Sequence, residues 1–167
     1  MKLKALLLTL TLGLVALPAF AEDTSVHQST GYFTLGAGPV PVPLPAVGVG
    51  YRTQHDHLGL DLAIVAQPLI VATAVSQRAL FTYYPTPNLD GQVYLGAGIG
   101  VHTALIHAGK EKNIQVSASP EFTIGKQYRT DKGGLRMLSA DVSLVNADLK
   151  PSKARIPLVT INYGIGF

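Results

Sequence analysis

The sequence contains no cysteine and no tryptophan. Without cysteine there is no disulfide scaffold, thiol nucleophile, iron–sulfur site or Cys-ligated zinc. Charge is scarce as well. Only 14% of the residues are charged, against a usual share of about 25%. With 47% hydrophobic residues, the chain is too apolar and too charge-poor to stay disordered. The 17 glycines and 11 prolines follow no Gly-X-Y period, which excludes collagen. The 13 basic residues outnumber the 10 acidic ones, but Lys2 and Lys4 sit at the extreme N-terminus, and the rest is close to neutral. There is no concentrated basic patch, so nucleic acid is not an expected partner. Long apolar runs are missing beyond the first twenty residues. Leu58–Val75 comes nearest, at the lower limit for a spanning helix, but Asp61, Gln67 and Pro68 interrupt it.

At 167 residues the chain has room for one domain preceded by a leader. Residues 1–21 read as a secretory signal peptide. Lys2 and Lys4 form the positive n-region, Ala5 to Leu17 the apolar stretch, and Pro18 the break. Ala19-Phe20-Ala21 is the small-x-small cleavage signal. The expected division is therefore 1–21 signal peptide and 22–167 exported domain.

In the exported part, short alternating segments are separated by turn residues. Eight are legible, at 31–38, 46–53, 57–66, 75–84, 91–102, 113–128, 134–145 and 156–167. They hold most of the Val, Ile, Thr, Tyr and Phe. Ile114, Val116, Ala118, Pro120, Phe122 and Ile124 share one face, and Gln115, Ser117, Ser119, Glu121 and Thr123 the other. Leu138, Ala140, Val142 and Leu144 likewise oppose Met137, Ser139, Asp141 and Ser143. Period two means β-strands, whose successive side chains point to opposite faces. Eight tilted spanning strands of about 9–11 residues fit this length with nothing left for a second domain. The expected fold is all-β, an eight-stranded antiparallel transmembrane barrel. Gln54-His55-Asp56, Pro85 to Asn88 and Thr130 to Gly133 read as compact turns on one rim. Pro39 to Pro45, Gln67 to Thr73, Thr103 to Lys112 and Asn146 to Lys153 read as longer loops on the other. Pro120, inside a strand, predicts a bulge or a break, because it lacks a ladder N–H.

Alternation alone does not say which face is outside. A soluble lipocalin-like barrel turns the apolar face in and carries an apolar ligand, whereas a membrane barrel turns it out. Three features favour outward. The polar faces are mostly Gly, Ser, Thr, Ala and Asn, too poor in charge for a water-exposed surface. The few strand charges lie on those polar faces. Tyr32, Phe33, Tyr51, Phe81, Tyr83, Tyr84, Tyr128, Tyr163 and Phe167 cluster near strand ends, as in an interfacial girdle.

On this reading Asp61, Arg78, Glu121 and Asp141 enter the lumen and form a charge network, since a buried charge needs a partner. A turn centred on Asp131 puts Glu121 and Asp141, each ten residues away, opposite each other. The same centre pairs Lys126 with Arg136 near the rim. Arg78 is expected to bridge toward the two carboxylates, with Asp61 as its second partner. His55-Asp56-His57 lacks a third metal ligand and reads as a polar turn. His102 and His107 read as solvated residues at a loop start. Neither is followed by a serine two residues on. No catalytic, cofactor or metal constellation is legible, and no enzyme is expected. Pro39 to Pro45 reads as a stiff loop, and Lys110 to Lys112 and Lys150 to Arg155 as basic loop patches.

The chain ends Val159-Thr160-Ile161-Asn162-Tyr163-Gly164-Ile165-Gly166-Phe167, apolar or aromatic at every second position up to a terminal Phe. This resembles the last strand of bacterial outer-membrane β-barrel proteins. The glycine-rich stretches Gly31 to Gly38 and Tyr94 to Gly100 are similar to strands of the small barrels of the OmpA-transmembrane or OmpX type. The resemblance implies residence in the bacterial outer membrane, with membrane lipid around the barrel. It also implies that Tyr163, Ile165 and Phe167 form the signal read by the barrel-assembly machinery. The expected role is that of a structural or surface-exposed barrel with a side-chain-filled lumen and loops open to partners. The alternatives are a lipid-modifying enzyme of that membrane or a soluble periplasmic lipocalin-like barrel.

Overall fold

A computed structural model describes residues 27–38, 44–68, 72–87, 91–106, 113–131, 134–149 and 152–167. The leader, most of the proline-rich stretch, His107 and Lys110 to Lys112 lie outside the described residues. Eight strands follow one another: β1 (His27–Gly38), β2 (Leu44–His55), β3 (Leu58–Pro68), β4 (Ala72–Tyr83), β5 (Gln92–Ile106), β6 (Asn113–Arg129), β7 (Leu135–Leu149) and β8 (Ser152–Gly166). Each pairs antiparallel with the next, and β8 returns to β1, closing the barrel. The Leu58–Val75 stretch is a hairpin, not a helix. Among the described residues no helix is long and apolar enough to cross a membrane; the strands do the crossing.

The apolar faces point outward. Every strand contributes: Phe33, Val47, Leu58, Phe81, Leu95, Phe122, Leu138 and Ile161 are all exposed, Phe81 at 77%. Each such side chain in water forgoes about 1.5–3 kcal/mol relative to an apolar environment. A complete ring of them therefore needs lipid, which rules out the soluble lipocalin-like alternative. The inward face is polar and buried, with Thr34, Arg52, Gln54, Asp61, Thr82, Glu121, Thr123 and Asp141 at 5% exposure or less.

The girdle is corrected in two places. Tyr32 and Tyr84 point into the lumen, at 2% and 0% exposure. Phe81, Tyr83, Tyr128, Tyr163 and Phe167 do lie outside at the end that carries the turns, and Phe33, also outside, lies midway along β1 with its ring 5.2 Å from that of Phe167. The aromatic belt therefore rings only one rim.

The loop lengths are also corrected. The supposed long links are partly absorbed into strands: β2 begins at Leu44, β3 runs to Pro68, β5 to Ile106 and β7 to Leu149. Thr103 to Ile106 and Asn146 to Leu149 add to their ladders where polar residues had marked an end. The connections at the two rims therefore show no systematic difference in length.

Register supplies the third correction. The β6–β7 ladder runs from Glu121–Ser143 to Arg129–Leu135, and its midpoint lies one residue beyond Asp131. Asp141 stands opposite Thr123, Lys126 opposite Leu138, and Arg136 opposite Tyr128. The cause is the turn, which is closed five residues wide by Thr130 N–H donating to Gly134 O at 2.8 Å. Pro120 stays paired with Ile99 of β5, but the β7 ladder stops just short of it. Above that point β6 pairs only with β5, and β7 from Leu144 on only with β8. The predicted break is thus a seam in the upper wall.

Candidate functional site: the lumen and its mouth

The lumen is filled in tiers. At the turn rim, three glutamines on β2, β5 and β6 share their amides. Gln127 Nε2 donates to Gln54 Oε1 and to Gln92 Oε1, both at 2.9 Å. The Tyr84 and Tyr94 rings lie 5.9 Å apart beside them.

The next tier is ionic. Arg52 clasps Asp61 with Nε, at 2.7 Å, and with Nη2, across the direct β2–β3 pair of these two residues. Tyr32 Oη donates to the other oxygen of Asp61 at 2.8 Å. The Arg52 guanidinium also lies 4.1 Å from the centre of the Tyr94 ring, a cation–π contact in a dry setting. It donates to Gln127 Oε1 at 3.2 Å, which ties this tier to the amides.

Arg78 spans the lumen from β4 to β7 and ion-pairs with Asp141. Its Nε stands 3.9 Å from Asp61. Asp141 also accepts from Thr123 Oγ1 and Asn162 Nδ2, each at 2.6 Å. The expected set is therefore only partly assembled as drawn. Arg78 meets Asp141 and Asp61, while Glu121 sits apart in a higher tier. Arg52 joins them as a second basic residue inside. Period two places Arg52 on the face of Gly48, Gly50 and Gln54. The expected second segment stops at 53 and leaves it at a strand end, whereas β2 runs on to His55.

Glycines make the room. A Cβ at Gly50 would meet the Tyr32 ring, and one at Gly125 the Tyr94 ring. The bulky residues of the plug are accommodated because the neighbouring strand has no side chain there.

The uppermost tier gathers around His102 on β5. The residue faces the lumen inside a strand, which corrects its reading as a loop-start histidine. Ser76 Oγ of β4 lies 2.9 Å from His102 Nδ1. Ser119 Oγ lies 2.9 Å and Glu121 Oε1 3.2 Å from His102 Nε2. Ser143 Oγ donates to Glu121 Oε1 at 3.4 Å. No local motif joins these residues. They meet because the register sets Ser76 directly opposite His102 and brings β6 alongside. Side-chain exposure rises toward this end, from 0% at Asp61 and 4% at Arg52 to 9% at Arg78 and 17% at His102. Of these four side chains, those toward the turn rim are the more deeply buried and His102 is the most exposed.

The remaining sequence candidates take structural places. Asp56 forms the two-residue β2–β3 turn with a φ of 50°, a conformation Asp tolerates. His57 Nδ1 lies 2.7 Å from Tyr84 O. Among the described residues no cluster of His, Asp and Glu is arranged to hold a metal. At the C-terminus Tyr163, Ile165 and Phe167 all face outward. Phe167 N–H donates to Gly31 O at 3.0 Å, and its ring lies 5.2 Å from that of Phe33.

A closed eight-stranded antiparallel barrel with a lipid-facing belt and a polar, filled interior is the architecture of the small outer-membrane barrels. Solved structures bear out the likeness of fold. The N-terminal barrel domain of Pseudomonas aeruginosa OprF superposes with a TM-score of 0.58 at 15% identity, covering 84% of this chain and 99% of that one. Neisserial surface protein A gives 0.61 at 10% identity, covering 83% and 94%. Ail, the attachment invasion locus protein of Yersinia pestis, gives 0.54 at 12% identity, covering 83% and 95%. No protein-family model matches the chain, and no curated protein matches it.

Proposed function

We infer that the protein is a structural, non-conducting barrel of the bacterial outer membrane, with its strand ends as the surface open to partners. The observation that carries this is the plug. Arg52, Asp61, Arg78 and Asp141 are each 9% exposed or less, and the glutamine tier closes the lumen beneath them. An ion crossing the barrel would have to break charge pairs held in a low-dielectric interior, where they resist opening. Narrow barrels of eight strands have interiors that side chains can fill. The outward series Tyr163, Ile165 and Phe167 beside the closing β1–β8 ladder supports the reading that the barrel is assembled through its last strand. The test is electrical. Folded protein in planar lipid bilayers is expected to leave the membrane as resistive as lipid alone. Discrete conductance steps from wild-type protein would overturn the reading.

A further inference from the structure

We propose that the His102 tier holds a hydrolase site for carboxylic esters with an apolar acyl chain. Ser76 is the nucleophile, His102 the general base, and Glu121 the carboxylate that orients it.

The proton inventory of the tier leads there. Ser119 Oγ is the hydrogen-bond partner of Nε2 at 2.9 Å, and Glu121 Oε1 stands 3.2 Å from the same nitrogen; because a carboxylate can only accept, its neighbourhood favours the tautomer with the ring proton on Nε2. His102 Nδ1 is then left with its lone pair, and Ser76 Oγ sits 2.9 Å from it. A hydroxyl donating to an imidazole whose other nitrogen is held by a carboxylate is the arrangement that activates serine. The two ring nitrogens have exchanged roles relative to the common triad. Proton transfer needs only one free lone pair and one anchored N–H, so the exchange does not impair it.

Access distinguishes this tier from those below. Glu121–Ser143 is the last pair of the β6–β7 ladder, so the triad carboxylate lies at the foot of the seam. The outer wall beside the seam is apolar, with Val116 63% and Phe122 49% exposed to the lipid. An ester whose acyl chain lies in the bilayer matches that apolar wall. Arg78 lies two residues along β4 on the same face as Ser76. Its Nε makes no hydrogen bond within the described protein.

The chemistry balances with water alone. Ser76 Oγ bonds to the carbonyl carbon as its proton passes to His102 Nδ1, and Glu121 holds the imidazolium by Nε2–H. The carbon–oxygen bond to the alcohol then breaks, and His102 returns the proton to that alcohol. A water next gives a proton to Nδ1 and attacks the acyl-serine. The carboxylic acid leaves, and Ser76 regains its hydrogen.

The experiment uses the folded full-length barrel in detergent–phospholipid micelles, with folding checked by heat-dependent gel mobility. A fluorophosphonate probe is expected to label Ser76, as located by mass spectrometry of the labelled peptide. Ser76→Ala should abolish labelling, and His102→Gln should slow it by about 100-fold or more, the usual scale for losing a general base. Ser117→Ala, a change to a serine outside the triad, should label like wild type. A long-chain p-nitrophenyl ester should be hydrolysed faster than p-nitrophenyl butyrate. No labelling of folded wild type, or labelling at any other serine, would overturn the proposal, and so would preference for the short ester. Conductance and labelling are separate readouts, so either inference can fail without the other.

Discussion

Replacing Arg52 with methionine keeps much of the side-chain length and removes the charge. Asp61, fully buried, then keeps the Tyr32 hydroxyl at 2.8 Å and the Arg78 Nε at 3.9 Å, but loses its two-pronged partner. Leaving one member of a buried pair uncompensated costs about 3–5 kcal/mol. Arg78→Met is expected to cost less, about 1–3 kcal/mol, because Asp141 retains donors from Thr123 and Asn162. The double variant Arg52→Met, Asp61→Leu removes both charges and should recover most of the Arg52→Met deficit, since an apolar pair of similar volume is often no worse than the ion pair. The assay is urea unfolding in phospholipid vesicles, followed by gel mobility and tyrosine fluorescence. Arg52→Met as stable as wild type would refute the reasoning. A double variant whose loss equals the sum of the single losses would also refute it, by showing that the two residues do not act as one unit.

Three further outcomes follow from the same geometry. Gly50→Val should push the Tyr32 ring out of its place and off Asp61, with a loss of about 1–3 kcal/mol in the same unfolding assay; unchanged stability would show that the ring has room. Deleting Phe167 removes both the N–H that closes onto Gly31 and the ring packed on Phe33. It should lower the yield of folded barrel in cells more than Phe167→Tyr does, and equal yields would remove the support for a terminal assembly signal. The ring of exposed apolar side chains requires that the protein fractionate with outer membranes and need detergent for release; recovery in an osmotic-shock fluid would contradict it.

The faces of the strands were legible because period two is a local property. Once Glu121 is inward, Thr123 must be as well, whatever pairs with it. Register was not legible in the same way. It depends on turn width, and a turn two residues wider, its midpoint one residue further on, moved the partner of Asp141 from Glu121 to Thr123. Arg52 was readable in principle from its alternation with Tyr51 and Thr53, but only if β2 was carried to His55. The His102 tier was out of reach. Ser76, His102 and Glu121 stand on three strands, with no spacing that marks them, and only the combined β4–β5–β6 register brings them together. Tyr32 and Tyr84 misled because an aromatic near a strand end serves equally as a girdle residue or as lumen filling.

The one-sided aromatic belt has a consequence for how the barrel sits in its membrane. Interfacial aromatics fix depth, and here they fix it from the turn rim alone. A change in bilayer thickness is then taken up at the far end, where no Tyr or Phe resists it. In a thick bilayer the seam above Glu121 is submerged in acyl chains, and in a thin one its upper part stands in water. Lipid composition thereby acts as a waterline on the upper wall, setting which medium faces the gap between β6 and β7 without moving a single strand.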